Sequence, residues 1–232
     1  MKKLLLFAVL LLAGLNAFSQ ELTARQIADN AVAKAKPDDA IKYVQTEVQK
    51  LTVPSEKRAT WAFLGSLQES VSLYSDAVKS YSAAVAISAT NAEGMPKKSS
   101  ERLVLDAVRC ALSVGEYETA ESFLNSAVRN SKNTEIQATI KLYEQWCALS
   151  KAEKYEDTME ALAMLKAYLE FPSMESVKPN ILLTLWYITG EKSYADTLVK
   201  AYPRSAEAGI ASGKVQIYPA PFWYFVPRKN SN

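Results

Sequence analysis

The chain has 232 residues, 27 Lys+Arg against 25 Asp+Glu, and no histidine. Near-neutral charge with no basic stripe lacks the electrostatic footprint of nucleic-acid binding. The missing imidazole removes Ser-His and Cys-His pairs, the commonest metal ligand and the usual general base.

Residues 1–19 have the composition of a secretory signal peptide. Lys2 and Lys3 give a positive start, Leu4 to Leu15 an apolar run, and Ala17-Phe18-Ser19 a small-x-small cleavage site. That run falls short of the ~20 residues of a membrane span. Gln20 stands where a lipid-bearing Cys would be needed. The expected product starts at Gln20, is exported to the periplasm or secreted, and has no transmembrane span. Without Lys2 and Lys3 the basic residues equal the 25 acidic ones.

From residue 20 to 213 few glycines and many Ala, Leu, Glu, Lys and Gln favour helix almost throughout. Four tetrapeptides recur, beginning at Tyr74, Tyr117, Tyr155 and Tyr194, with spacings of 43, 38 and 39 residues. A weaker copy begins at Pro37, where Asp38 and Asp39 suit the first turn of a helix. Each copy lies between two helical apolar patterns, so the simplest account is a helix-turn-helix unit repeated about five times. Asn91 to Ser100 reads as a longer loop, Phe171-Pro172-Ser173 and Lys178-Pro179 bracket another, and residues 206–212 predict a short last helix.

The second unit is the clearest. Trp61, Leu64, Leu67 and Val71 make one apolar stripe, and Gly65 in mid-helix predicts close packing against a neighbour. Trp61, Leu64-Gly65, Tyr74, Ala77, Tyr81 and Ala84 match the tetratricopeptide repeat (TPR) pattern, and the chain resembles that family, most closely over residues 56–130. The third unit keeps Gly115, Tyr117, Ala120, Leu124 and Ala127; the fourth and fifth keep little beyond Tyr155 and Tyr194. The resemblance implies an all-α, right-handed α-solenoid of about five TPR-like hairpins with a concave face that binds peptides or partner proteins. By the same register Ala62, Ser66, Glu69, Arg102, Leu105, Arg109, Tyr143 and Cys147 face inward. Arg102 and Arg109 suit an acidic group, but the family's Lys/Asn set for C-terminal carboxylates is missing.

Residues 214–232 form a separate aromatic tail. Val215 and Ile217 alternate with polar residues like a strand, and Pro219 and Pro221 keep the chain extended. Tyr218, Phe222, Trp223, Tyr224 and Phe225 follow, a patch that either covers the terminal unit of the array, binds a partner or glycan, or meets a membrane interface. Cys110 and Cys147 stand near one repeat apart, as buried free thiols or as a bridge between neighbouring units.

No phosphate loop, metal-ligand spacing or paired catalytic carboxylates stand out, and no cofactor is implied. The functional expectation is a non-catalytic scaffold or adaptor for another envelope protein or an extended peptide. Its candidate contacts are Arg102, Leu105, Arg109, Tyr143, Tyr218, Phe222, Trp223 and Tyr224. The alternative is a glycan or small-ligand module built on the tail aromatics, and a third class is an enzyme built on helices in the manner of lytic transglycosylases, which would need a buried Glu facing a cleft.

Overall fold

The computed structural model describes residues 21–215 and 226–229. The signal-peptide reading of residues 1–19 and the tail aromatics Tyr218, Phe222, Trp223, Tyr224 and Phe225 therefore lie outside the described residues. What is described is all-helical: eleven α-helices, three short 3-10 turns and no strand.

The first five helices are α1 (Ala24–Val32), α2 (Pro37–Lys50), α3 (Pro54–Ser70), α4 (Tyr74–Ala86) and α5 (Ser100–Ser113). There follow α6 (Tyr117–Leu124), α7 (Thr134–Ser150), α8 (Met159–Tyr168), α9 (Lys178–Thr189), α10 (Lys192–Ala201) and α11 (Ala206–Ala211). Their starts are written locally. Thr23 and Gln26 close a reciprocal cap on α1, Pro37 and Pro54 occupy the first turns of α2 and α3, and Ser99, Asn133 and Ser205 cap α5, α7 and α11 through side-chain oxygens.

Every helix packs against the next one along the chain, and α1 also meets α3, α5 meets α7 and α9 meets α11. The predicted hairpin partners are thus α1/α2, α3/α4, α5/α6, α7/α8 and α9/α10. The turns of the second and third pairs are built alike. Leu73 N–H donates to the Gln68 carbonyl and Ser72 N–H to Glu69; Glu116 N–H donates to Ala111 and Gly115 N–H to Leu112. Ser72 and Gly115 both take the left-handed conformation that ends a helix this way. Tyr74 and Tyr117 then open α4 and α6.

Later units depart from that pattern. Tyr155 opens a 3-10 turn (Tyr155–Thr158) ahead of α8, and Tyr194 lies two residues inside α10. Residues 172–177, expected as loop, form a 3-10 turn packed on α7. The strand-like reading of Lys214 and Val215 is corrected: both N–H groups donate to the Gly209 carbonyl and close the end of α11.

Packing explains the small residues. A Cβ on Gly65 would stand 2.8 Å from two ring carbons of Tyr81, and Tyr81 is itself fully buried beside Ala77 and Ala84. The glycine lets α3 and α4 approach until the tyrosine ring lies on the backbone. One apolar core runs from Ala77 to Val226, and a smaller one joins Ile27, Ile41, Val44, Val48 and Leu64. Trp61 packs against both and links them.

The chain returns to this core at its far end. Val226 is buried in the main core, Lys229 N–H donates to the Ile188 carbonyl, and Arg228 stacks 3.5 Å over the Tyr187 ring. Cys110 and Cys147 are free, buried thiols. Burial pushes both up, Cys147 from an ordinary 9.0 to about 12.

Two predictions follow from this packing. Gly65→Ala gains ~1 kcal/mol of helix propensity but forces the Tyr81 ring aside, for a net loss of about 1–2 kcal/mol; a urea unfolding curve at or above the parent's stability would contradict it. Thiols held protonated in the fold but ionising near 9 when unfolded stabilise fully below that pH, and the contribution is lost as pH rises toward 12. The melting temperature of the parent should fall above pH 9, and less steeply in Cys147→Ala.

Candidate functional site

Helix α5 packs against α4, α6 and α7. Its apolar side, Leu103, Ala107, Cys110 and Ala111, is buried in the core. The opposite side turns Arg102, Leu105, Asp106 and Arg109 toward a cleft of about 310 Å³. Tyr143 and Trp146 of α7 form the facing wall, and Val177 and Asn180 close the end. Tyr143 and Trp146 stack with centroids 5.1 Å apart, and the Trp146 indole N–H donates to Thr184 Oγ1 at 3.2 Å. That hydrogen bond anchors the wall to α9.

Four of the residues singled out in the sequence, Arg102, Leu105, Arg109 and Tyr143, meet in this one cleft. They do so in different states. Leu105 and Tyr143 are buried and form its floor and wall. Arg109 donates through Nε and Nη2 to Glu69 at 2.7 and 2.9 Å, and its Nη2 stands 3.0 Å from Asp106. Asp106 also receives Lys98 at 2.7 Å, and Glu69 accepts the Tyr81 hydroxyl at 2.9 Å. Burial lowers the charged form of Arg109, but Tyr143, Glu69 and Asp106 outweigh it and hold the guanidinium charged. Arg109 is thus committed to the protein's own carboxylates. Arg102 is exposed at the cleft mouth and makes no ion pair among the described residues.

The other inward-facing expectations are modified. Ala62 and Ser66 line a small cavity separate from the cleft, because the loop of residues 87–99 crosses that face and places Met95, Pro96 and Lys98 beside them. Cys147 is buried away from the cleft, near Glu121 and Lys151. Trp146, Asp106, Val177 and Asn180 were not singled out as contacts. Trp146 carried a signal, a bulky residue at a position where the repeat takes a small one. Asn180 carried none, since the 3-10 turn that brings it to the cleft has no periodicity to read.

Among the described residues the cleft presents one cation without an ion pair, Arg102, with an aromatic wall and apolar patches. Burial raises the Tyr143 phenol further from neutrality, with Arg109 pulling the other way. Among the described residues no three His, Cys, Asp or Glu side chains gather as metal ligands. No helix among them is long and apolar enough to cross a membrane.

Known proteins give limited company. Residues 150–232 match a protein-family model described as a middle domain. An uncharacterized protein of Treponema pallidum (strain Nichols) is 30% identical over 130 residues, which is 55% of this chain and 34% of that protein. The chain therefore matches about a third of the length of this curated relative. No solved structure matches it.

The paired charges yield a stability test. Arg109→Gln leaves Glu69 without its bidentate partner and Asp106, 5% exposed at its side chain, with Lys98 alone. The expected loss is about 2 kcal/mol, between a surface pair and a fully buried one because the Arg109 side chain is 39% exposed, read from urea unfolding. A loss below about 1 kcal/mol, the worth of a surface pair, would show that the network is not structural.

Proposed function

We propose that this chain is a non-catalytic, exported interaction scaffold that holds an extended segment of another envelope protein in the cleft between α5 and α7. The hairpins α1/α2 to α9/α10 are read as consecutive turns of a TPR-like right-handed α-solenoid, and the cleft as the open part of its concave face. The observation that carries this reading is the contrast between the two arginines. Arg109 is neutralised by the protein's own carboxylates, whereas Arg102, at the mouth beside Leu105 and Tyr143, has none among the described residues. A cleft with an unpaired guanidinium and an aromatic wall suits a segment with an acidic side chain next to an apolar one.

A volume of about 310 Å³ lies at the lower end for ligand pockets and fits two or three side chains of an extended strand. Non-catalytic action is favoured because the titratable groups that burial perturbs most, the tyrosines and thiols, are moved away from neutral pH. They are poor candidates for a general acid or base at physiological pH.

The test is a peptide array of envelope-protein segments probed with the chain, followed by affinity measurement on the hits. Acidic segments with adjacent apolar residues should dominate. Arg102→Glu should weaken them tenfold or more and leave the melting temperature unchanged, since Arg102 is exposed and unpaired. Hits that bind Arg102→Glu as tightly as the parent would place recognition outside this cleft.

A further inference from the structure

Outside the cleft, one arginine is buried without an anion among the described residues. Arg58 on α3 is 4% exposed. Its Nη1 donates to Asn91 Oδ1 at 3.1 Å, and its Nη2 to the Lys98 carbonyl at 2.9 Å and to Ser100 Oγ at 3.5 Å. All three acceptors are neutral, and Nε is buried with no acceptor. No carboxylate of the described residues pairs with it. Buried charges are ordinarily paired because desolvation costs several kcal/mol per ion, and Arg109 follows that rule in the neighbouring network.

Arg58 also lines a cavity of about 50 Å³ between α3 and the loop of residues 87–99. The rest of the lining is mainly apolar: Ala59, Ala62 and Phe63 from the helix, Met95 and Pro96 from the loop. Lys98 lines it as well, but its ammonium is held by Asp106. One water needs ~10–15 Å³ of such space, so the cavity admits a group of a few heavy atoms.

We propose that this cavity binds a short apolar carboxylic acid, with its carboxylate at Arg58 and its alkyl part against Ala59, Ala62, Phe63 and Met95. The anion supplies the charge that the neutral acceptors do not, and the alkyl group meets the apolar wall. The small volume, about 50 Å³ against about 310 Å³ in the cleft, favours a free acid over the end of a longer chain. The loop lies over the cavity as a second wall, fixed by Ala92 against Ala24 and Ala59 and by Arg25 donating to the Gly94 carbonyl at 3.3 Å. This site is independent of the cleft and of the partner proposed for it.

Isothermal titration of the full chain at constant ionic strength tests the assignment, using isobutyrate, isobutyramide and N-acetylvaline as probes. Isobutyrate should bind saturably, with its neutral amide isostere and the chain-end mimic N-acetylvaline each at least tenfold weaker. Arg58→Gln should abolish isobutyrate binding. Because that variant also loosens the loop, Ala62→Leu serves as a second arm: it fills the cavity and keeps Arg58, and should lose isobutyrate with its melting curve retained. Equal binding of acid and amide, no saturable isobutyrate binding, or unchanged binding in Ala62→Leu would overturn the site. Tighter binding of N-acetylvaline than isobutyrate would overturn the free-acid assignment in favour of a peptide terminus.

Discussion

The guanidinium of Arg109 sits between carboxylates of two helices, and much of the middle of the molecule is arranged around it. Glu69 arrives from the last turn of α3, Asp106 from one turn earlier on α5, and Tyr81 of α4 donates its hydroxyl to the same Glu69. Three helices are therefore fixed at one point by charge-assisted hydrogen bonds in a partly desolvated setting, where such bonds are stronger than on the surface. Tyr81 reaches Glu69 only because Gly65 lets its ring lie on the backbone of α3. A packing constraint and an electrostatic one meet in the same few residues.

This arrangement also decides which surface is open. Lys98, at the end of the loop between α4 and α5, pairs with Asp106 and stands over the Tyr81 ring. The loop is thereby held across the inner side of α3, and Arg58 grips it further along through Asn91 and the Lys98 carbonyl. The face of the second hairpin is covered by the chain itself. What remains open begins at α5, where the wall changes from loop to the stacked pair Tyr143 and Trp146. The two candidate sites, a cleft of about 310 Å³ and a cavity of about 50 Å³, are divided by a single charged network.

The C-terminal segment belongs to the same economy of surfaces. Val226 is buried near the turn after α5 and the end of α7, and Lys229 and Arg228 attach to α9. Residues distant in sequence thus close over the ends of helices α5, α7 and α9.

The sequence by itself determined the local grammar. Periodic apolar positions, prolines at helix starts, Ser and Asn caps and the recurring tyrosines specify helices and turns through interactions within a few residues, so they are legible without a fold. It also marked Gly65 as a packing residue and brought Arg102, Leu105, Arg109 and Tyr143 into one set, because a shared register places them on one face. Only the tertiary structure decided their roles. Arg102 and Arg109 stand seven residues apart on one helix and read as equals, but Glu69, forty residues before Arg109, neutralises one and not the other. Arg58 carries no signal in the sequence, and its burial comes from a loop thirty-three or more residues later that closes over it. Pairing and burial are set by groups that approach from elsewhere in the chain, and no spacing within a helix encodes them.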